Sequence, residues 1–568
     1  MSPNETANAW TSRLPSWLPY AVFAVLFAVT FKRWILPFQD SGRELAVASR
    51  VAAGEALYRD IGYPYGPLAP FLDGPALLLF GRRLDVLIAL RTAVALLGVE
   101  ALRRLARRVT PDDGTAVAIV AFVIATCGFV TGGAYPFPYS AAALEGTVGT
   151  WWALELALAS TGMRTALTAG LVAGIASAAK LEIAPAALGA VAVALFLRRP
   201  KREAAAGLLL GAVIAGAAFG IPVALYGTGV LRRHGYLIAL DMPKAFRELY
   251  ERSVLFGGMT SKEFRGGGWT AILFPSILYL ALALLVLSAK VLHPVATGAM
   301  AIAAGLATAF SSSRNAELHV LLPLAAAIGV YEIARALWTW RRGAEESVAR
   351  AGLAVAMMPA LARQPFFLRN LIYGAYSAPL ALLMSLAWVA RRVAARGAFV
   401  GLLLGMTIGQ GVHRWRDIGR ASAVWTVLPG ASLYLPAEEA KFLQDVTSVL
   451  PRLRGTGGFV ATFPEPGFVN FVTGTKNPFV DEAFYPGLQD ERAEEEMIQI
   501  LRERRPALIV TNTAFREYGP ETFGHGLLDR FFEEVRTTYV IAGKLGGLPL
   551  GPHGERHVSE GLLYLPRR

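Results

Sequence analysis

Residues 115–132 read TAVAIVAFVIATCGFVTG and contain no charged side chain. A helix that crosses a bilayer needs about 17 to 25 mainly apolar residues, so this run has the length and composition of one crossing. Comparable runs recur on both sides of it, from Trp17 to beyond Gly411. The pattern predicts a protein whose helices lie in a membrane.

The composition of the whole chain agrees with this interpretation. Of the 568 residues, 54% are hydrophobic and 17% are charged, against about 25% charged in an ordinary soluble protein. We therefore predict a polytopic α-helical membrane protein with about thirteen spans. The first span follows Trp17, and the others lie near residues 85–102, 115–132, 139–159, 165–180, 183–198, 205–226, 269–288, 293–311, 318–338, 351–362, 371–391 and 397–413.

The single cysteine and the N-terminal stretch limit the possibilities further. Cys127 is the only cysteine, which excludes an intramolecular disulfide framework and any multi-cysteine zinc or iron–sulfur site. The N-terminal stretch has no basic region followed by a small-residue cleavage site. We expect the first apolar run to be retained as an anchor.

The charges predict the orientation of the spans. The net charge is +13, but residues 430–568 contain 15 Lys and Arg against 19 Asp and Glu, so the basic excess belongs to the membrane part. Basic loops are held in the cytoplasm, and this excess therefore indicates orientation and not nucleic-acid binding. The basic loops are RRLARR (103–108), LRRPKRE (197–203), WRRGAEESVAR (340–350) and ARRVAAR (390–396).

These loops fall on one side if LAPFLDGPALLLF (68–80) does not cross the membrane. With about 20 Å of helix this segment is too short for about 30 Å of hydrocarbon, so we predict a juxtamembrane or re-entrant piece. The N-terminus is then cytoplasmic, and the chain beyond about Val412 is extracytoplasmic. Residues 1–429 form the transmembrane domain, with an outer loop at 38–84.

Residues 430–568 are predicted to form a small extracytoplasmic α/β domain. Strand-like runs alternate there with helix-like ones, and no Gly-rich phosphate loop follows any predicted strand. The strand-like runs are 458–463, 507–511, 538–543 and 561–566, and the helix-like runs are AEEAKFLQDVTSVLPRL and DERAEEEMIQILRERR.

The outer loop, FQDSGRELAVASRVAAGEALYRDIGYPYGPLAPFLDGPALLLFG (38–81), is the most informative stretch for function. Asp40 directly follows the first span. A carboxylate at a membrane interface is costly to desolvate, which makes it a candidate functional group or the partner of a cation. Asp40 or Ser41 can also cap the following helix. The residues alone leave catalysis, capping and ion pairing open for Asp40.

The order of residues in this loop resembles the GT-C superfamily of integral-membrane glycosyltransferases, especially the protein O-mannosyltransferases and lipid A aminoarabinose transferases. In that pattern an Asp opens the loop, a Gly-x-x-(Pro/Leu)-Tyr-x-Asp stretch and a Pro-rich turn follow, and an Arg comes later. The matching positions are Asp40, Gly54, Leu57, Tyr58, Asp60, Gly66, Pro67, Leu68, Gly81 and Arg91. This chain departs from the family in having Tyr65-Gly66-Pro67 at the turn, and the acid nearest to Asp40 is Glu44.

Weaker likenesses to the same family follow along the chain. ASAAKLEIAP (175–184) resembles the family's turn between two short spans and places Lys180 and Glu182 at the outer face; a Lys–Glu pair or snorkelling explains them equally well. Glu145, in GGAYPFPYSAAALEG (132–146), is the only candidate for a second acid. SSSRNAELHVLLP (311–323) resembles the family's Arg-containing outer loop before a Pro-marked span, which makes Arg314 a candidate ligand for a phosphate. Arg363 and Arg369 lie on the same side, although arginines at an outer interface are also ordinary headgroup anchors.

The aromatic residues near the outer face allow two interpretations, an interface belt or stacking on sugar rings. They are Tyr63, Tyr65, Tyr135, Phe137 and Tyr139. The seven His show no metal-ligand spacing and no Gly-x-Ser-x-Gly elbow occurs. Zinc enzymes and serine hydrolases of those types are therefore disfavoured.

The resemblance implies an inverting glycosyltransferase that moves a monosaccharide from a polyprenyl-phosphate donor to a hydroxyl of a lipid, glycan or protein at the outer face of the cell membrane. The stretch after Phe459 is similar to tails of family 39-like glycosyltransferases. Asp40 would be the general base, and the substrate-binding residues would be Glu44, Tyr58, Asp60, Tyr65, Lys180, Arg314 and Arg369. No cofactor is evident, and the use of a divalent cation is left open.

Two rival functions come from other classes of protein. Charges and broken helices within a membrane also mark the substrate pathways of transporters and flippases, although no inverted repeat is evident here. A non-catalytic scaffold with an outer binding domain is the third possibility. Convergence of Asp40, Lys180 and Arg314 on one outer site would favour the transferase, whereas a cavity at mid-membrane would favour transport.

Overall fold

A computed structural model describes most of the chain. The described residues are 14–35, 37–38, 40–129, 134–138, 140–240, 294–310, 316–338, 345–363, 371–393, 395–420, 423–454, 456–465, 467–485, 488–511, 522–546 and 561–567.

Helices form where the apolar runs predict them. The helices that precede residue 421 are α1 (Leu18–Thr30), α2 (Asp40–Ala52), α3 (Leu68–Phe80), α4 (Leu84–Val109), α5 (Asp113–Cys127), α6 (Ala141–Ala159), α7 (Met163–Ser177), α8 (Ile183–Arg198), α9 (Lys201–His234), α10 (Pro294–Phe310), α11 (Ala316–Trp338), α12 (Glu345–Arg363), α13 (Leu371–Ala390) and α14 (Arg396–Arg420). The predicted run at 269–288 lies outside the described residues. The helical fold is confirmed, and the number of crossings stays a prediction.

Within the described residues, α9 alone is long and apolar enough to cross a membrane by length and composition. It spans 34 residues, and its helical geometry is interrupted at Gly227, which adopts φ 77°. Glycine tolerates this left-handed conformation because it has no Cβ. Several other apolar helices, such as α1 and α5, are shorter than this standard requires.

The short segment 68–80 forms α3, a single helix of 13 residues. One side of it is exposed and apolar, with Leu78, Leu79 and Phe80 each at least two-thirds exposed. Exposed apolar side chains of this kind suit contact with lipid, and the juxtamembrane or re-entrant placement of α3 stays a prediction.

Small residues let neighbouring helices approach closely. A Cβ added to Gly170 on α7 would lie 1.8 Å from the carbonyl oxygen of Gly207 on α9, and one added to Gly405 on α14 would lie 2.1 Å from that of Ala301 on α10. Backbone contacts of this type are typical of packed helices in membranes, where close packing replaces the hydrophobic effect between helices.

The basic loops meet at one end of the helices. Arg108 at the end of α4 makes two contacts of 2.7 Å with Glu155 of α6. Arg391 donates to the carbonyl oxygen of Val109 at 2.7 Å and pairs with Glu346 of α12 at 3.1 Å. This is the arrangement expected if the loops share one side of the membrane.

The C-terminal region combines helices with a mixed sheet. Its elements are β1 (Ala423–Leu428), β2 (Ala431–Pro436), α15 (Ala437–Ser448), α16 (Leu450–Arg454), β3 (Val460–Phe463), α17 (Gly467–Thr473), α18 (Glu491–Arg504), β4 (Ala507–Thr511), β5 (Thr522–Phe523), β6 (Gly526–Leu527), α19 (Asp529–Thr538), β7 (Tyr539–Leu545) and β8 (Gly561–Pro566). The strands expected from the sequence form one sheet in the order β3-β4-β8-β7. Only the β3–β4 pair is parallel in that sheet.

Candidate active site

The site begins with a contact between two turns that are far apart in sequence. The backbone N–H of Gly66 donates to the carbonyl oxygen of Ala179 at 2.9 Å, and that of Leu68 donates to Ala178 at 3.2 Å. A Cβ on Gly66 would lie 2.1 Å from the carbonyl oxygen of Ala178, so only glycine fits there. The contact brings the Pro-rich turn of the outer loop against the turn that contains Lys180.

Lys180 and Tyr65 meet at this contact. The Nζ of Lys180 lies 4.2 Å from the centre of the Tyr65 ring and 3.2 Å from Oε1 of Glu182. Lys180 is 4% exposed, whereas the side chain of Glu182 is 38% exposed. A cation this buried between the ends of two helices, α7 and α8, is placed where it can meet an anionic group.

Asp40 is the first residue of α2, and its carboxylate is paired with Arg43 one turn later. The side chains of the two residues are 16% and 12% exposed. Within the described residues, Asp40 accepts no capping hydrogen bond from α2. Of the two non-catalytic alternatives, the structure therefore shows the ion pair and not the cap.

Arg43 is surrounded by several groups that favour its charge. Burial lowers the pKa of Arg43, but the charges of Asp40, Tyr65, Glu465 and Glu44 outweigh it and hold that pKa well above its ordinary value. Arg43 therefore stays positive and keeps the Asp40 carboxylate in an ion pair. The sequence analysis did not identify Arg43, although its i, i+3 spacing from Asp40 on a helix could have revealed it.

Glu44 lies one turn further into the buried face of α2. It is 2% exposed, and the hydroxyl of Tyr63 donates to its Oε2 at 3.0 Å. Burial raises the pKa of Glu44 to about 7, although the charges of Arg91 and Arg43 act in the opposite direction. Burial also raises the pKa of Tyr63 well above its ordinary value, so this hydroxyl stays protonated and acts as a donor.

A buried charge cluster continues from Glu44 into the helices. Arg91 of α4 is fully buried and contacts Asp73 of α3 at 2.6 Å. The charges of Asp73, Glu44 and Glu145 all act on Arg91. Glu145, one turn into α6, is 5% exposed, and neither of its carboxylate oxygens has a hydrogen-bond partner within the described residues. The cluster thus has unused hydrogen-bonding capacity.

Two predicted substrate-binding residues lie apart from this cluster. The hydroxyl of Tyr58, which is 1% exposed, donates to the carbonyl oxygen of Tyr65 at 2.8 Å. Asp60 accepts from the backbone N–H of Ala56 at 2.8 Å, and its hydrogen bond with Arg59 holds its pKa below the ordinary value. Both side chains shape the loop that presents Tyr65, and their contact with substrate stays a prediction.

The predicted phosphate ligands Arg314 and Arg369 lie outside the described residues, as do Tyr139 and the side chain of Arg363. Within the described part of the chain, no group of three or more His, Cys, Asp or Glu side chains is arranged to hold a metal ion.

A small, open pocket lies beside the cluster, at the end of α1. It is lined mainly by apolar side chains together with Lys32 and Arg33, and it shares Phe137 with the cluster, since the Arg91 guanidinium lies 5.2 Å from the Phe137 ring. Lys32 contacts Asp85 at 2.5 Å, and Arg33 stacks at 3.8 Å on Tyr434 of β2.

No protein-family model matches the chain, and no curated protein matches it. Solved structures are similar to it over nearly its whole length. ArnT from Cupriavidus metallidurans bound to undecaprenyl phosphate is 13% identical with a TM-score of 0.45, and the match covers 96% of this chain and 97% of that one. The apo state of that ArnT is 12% identical with a TM-score of 0.44, and the match covers 98% of both chains.

The arabinofuranosyltransferase AftD from Mycobacteria is 14% identical with a TM-score of 0.45, and the match covers 97% of this chain and 41% of that one. With identities and TM-scores this low, the similarity alone says nothing of the substrate or mechanism of this chain.

Proposed function

We propose that this chain is a membrane glycosyltransferase that transfers a monosaccharide, with inversion, from a polyprenyl-phosphate donor to a hydroxyl of a lipid, glycan or protein. The observation that supports this most is the convergence of Asp40, Arg43, Tyr65 and Lys180 at one end of the helices. That end is opposite to the one where the basic loops meet. A transporter would instead be expected to hold its charged site near mid-membrane.

The chemistry follows from the charges at this end. Asp40 takes the proton of the acceptor hydroxyl as the acceptor oxygen bonds to the anomeric carbon. The bond from that carbon to the phosphate oxygen breaks on the opposite face, and the polyprenyl phosphate leaves with the bonding electrons. Lys180 stabilises the growing negative charge of the phosphate. Asp40 therefore acts on the attacking hydroxyl, and Lys180 acts on the leaving phosphate.

The pocket beside the cluster has a mainly apolar lining, which suits contact with part of a polyprenyl chain. Its two cations already have partners, since Lys32 pairs with Asp85 and Arg33 stacks on Tyr434. The polyprenyl part of a lipid-linked donor stays within the bilayer. Such a donor therefore needs membrane helices around its lipid and an acid at the membrane interface, where its sugar lies.

The function is tested by comparing the glycolipids and glycoproteins of cells that have or lack this chain. Mass spectrometry should show one class of glycan that loses a single hexose or pentose unit when the chain is absent and regains it on complementation. Accumulation of the intact donor with no glycan change on the other side of the membrane would favour a flippase. Identical glycans in both cell types would contradict the proposal.

A further inference from the structure

The first two strands of the C-terminal domain form a hairpin, residues 423–436, that begins directly after the end of α14. Side chains alternate between the two faces of a strand pair. On the inner face Leu433 is fully buried in the core of the domain. On the outer face Trp425 is 48% exposed and Val427 is 69% exposed. The hairpin therefore has one face in the core and one face that is apolar and largely exposed.

The outer face of the hairpin continues an exposed side of α1. Ala24, Ala28 and Phe31 follow one another at the i, i+4 and i+7 spacing of one helix face, and all three are exposed. The Nζ of Lys32 lies 5.2 Å from the centre of the Phe31 ring and 5.6 Å from that of the Trp425 ring. Because α1 is the first predicted span, its exposed side is expected to face lipid, and the hairpin extends that surface beyond the end of the helix.

The turn of the hairpin contacts the chain just after the exposed end of α3. The backbone N–H of Leu84 donates to the carbonyl oxygen of Gly430 at 2.8 Å. A Cβ on Gly430 would lie 2.6 Å from the carbonyl oxygen of Arg82. Shortly before this contact, Leu79 and Phe80 are 75% and 70% exposed. The exposed apolar residues of α1, α3 and the hairpin therefore border one another.

Cationic side chains accompany these apolar residues. The side chain of Arg83 is 66% exposed, Arg33 stacks on Tyr434 at 3.8 Å, and Lys32 pairs with Asp85 at 2.5 Å. Trp and Tyr rings beside Lys and Arg are typical of the boundary between membrane and water, where the rings lie among the lipid headgroups and the cations meet phosphates. This composition fits a phospholipid surface.

We propose that the hairpin is an interfacial anchor, whose outer face lies on the outer leaflet with Trp425 and Val427 among the headgroups and the first part of the acyl chains. The inference rests on the proposed function, because it needs a membrane protein whose C-terminal domain is outside. The same domain touches the outer loop, since a Cβ on Gly467 would lie 2.3 Å from the carbonyl oxygen of Gly42 and the backbones of α17 and α2 are thus in contact. The anchor would hold the domain at the height of this contact.

The test places a spin label at Val427→Cys in the full-length chain, reconstituted in liposomes of phosphatidylethanolamine and phosphatidylglycerol. Oxygen concentrates in the bilayer and a neutral nickel chelate stays in water, so the ratio of their collision rates with the label measures lipid contact. Val213→Cys is the lipid control, because Val213 is 58% exposed on the apolar α9. Gln499→Cys, on the exposed and charged side of α18, is the water control. The unmodified chain, whose only cysteine is the buried Cys127, gives the background.

We expect the ratio of oxygen to nickel collisions at residue 427 to be severalfold higher than at residue 499 and lower than at residue 213, since an interfacial segment enters only the boundary of the acyl region. If Val427→Cys does not fold, Ser432→Cys decides, because Ser432 lies opposite Val427 and shares its face.

A water value at residue 427 beside a lipid value at residue 213 would overturn the anchor and leave the membrane enzyme intact. Water values at both positions would remove the membrane location and with it the proposed function. A lipid value at residue 499 would also overturn the inference, because the contact would not be specific to the hairpin. The expected three values in a chain whose loss changes no glycan would support the anchor and contradict the proposed function alone.

Discussion

At the scale of single residues, the site is a set of buried charges whose states depend on their neighbours. The charges of Arg91 and Arg43 lower the pKa of Glu44, but the burial of Glu44 outweighs them and raises that pKa to about 7. Asp40, closer to the surface at 16% exposure, is paired with Arg43 alone within the described residues. Glu44 is thus close to its titration point near neutral pH, whereas Asp40 is held in an ion pair.

Glu44→Gln should remove a pH dependence of stability. The folded chain holds the Glu44 proton up to about pH 7, whereas the unfolded chain releases it near 4.5, so the wild type loses stability relative to the variant as pH rises between these values. The expected loss is about 3 kcal/mol. Thermal unfolding of both proteins in detergent from pH 4 to 8 measures it, and parallel curves would show that Glu44 ionises normally.

Lys180→Ala should lower kcat/KM by about ten- to a hundredfold, because a lost charge-assisted contact to the phosphate costs about 1.5–3 kcal/mol. The matched control is Lys476→Ala, since Lys476 also pairs with a glutamate, Glu55 at 3.3 Å, but is half exposed. Transfer assays on both variants are the measurement. Equal activity in the two variants would assign Lys180 a structural role.

At the scale of elements, the site is built where segments meet. α2 is amphipathic: its buried face includes Glu44 and Leu45, and its first turn includes Gly42, which allows the backbone of α17 to approach. Gly66 likewise allows the Pro-rich turn of the outer loop to approach the segment that contains Lys180. The order of these elements, and not any one motif, brings the charged groups together.

Gly467→Ala should separate α17 from α2, because the new Cβ would lie 2.3 Å from a backbone oxygen that cannot move freely. Overpacking of this kind costs about 1–3 kcal/mol. Limited proteolysis and thermal unfolding measure the docking. Gly543→Ala is the control, since no atom lies within 4 Å of a Cβ there, and equal stability of the two variants would contradict the described contact.

Much of the element structure was predictable from the sequence because it depends on local patterns. Uncharged runs such as 115–132 indicate their helices directly, and the strands of the C-terminal sheet follow from short apolar runs. Arg43 was missed although its helical spacing from Asp40 was visible. The approach of α17 to α2 could not have been predicted, because it joins Gly467 to Gly42, which are more than four hundred residues apart.

At the scale of the whole molecule, the helices have two chemically different ends. Basic side chains such as Arg108 and Arg391 gather at one end, whereas Asp40, Lys180 and the C-terminal domain lie at the other. This polarity agrees with the predicted orientation, in which the basic end is cytoplasmic.

A topology reporter fused after Arg568 should be active only outside the cytoplasm, and one fused after Arg202 only inside it, because basic loops stay in the cytoplasm. A phosphatase and a fluorescent protein that each work on one side provide the measurement. Activity of both fusions on the same side would refute the predicted span map.

The central claim, that Asp40 is the base of a glycosyl transfer, is tested most directly by measuring transfer in Asp40→Asn. The amide keeps the shape but cannot accept the proton, so transfer should fall by about 10² to 10⁴ while folding and donor binding persist. Asp490→Asn is the matched control: Asp490 caps α18, with its Oδ1 2.8 Å from the backbone nitrogen of Ala493, and asparagine caps about equally well. The account predicts an inactive Asp40→Asn beside a fully active Asp490→Asn. Near-wild-type transfer by Asp40→Asn would contradict it.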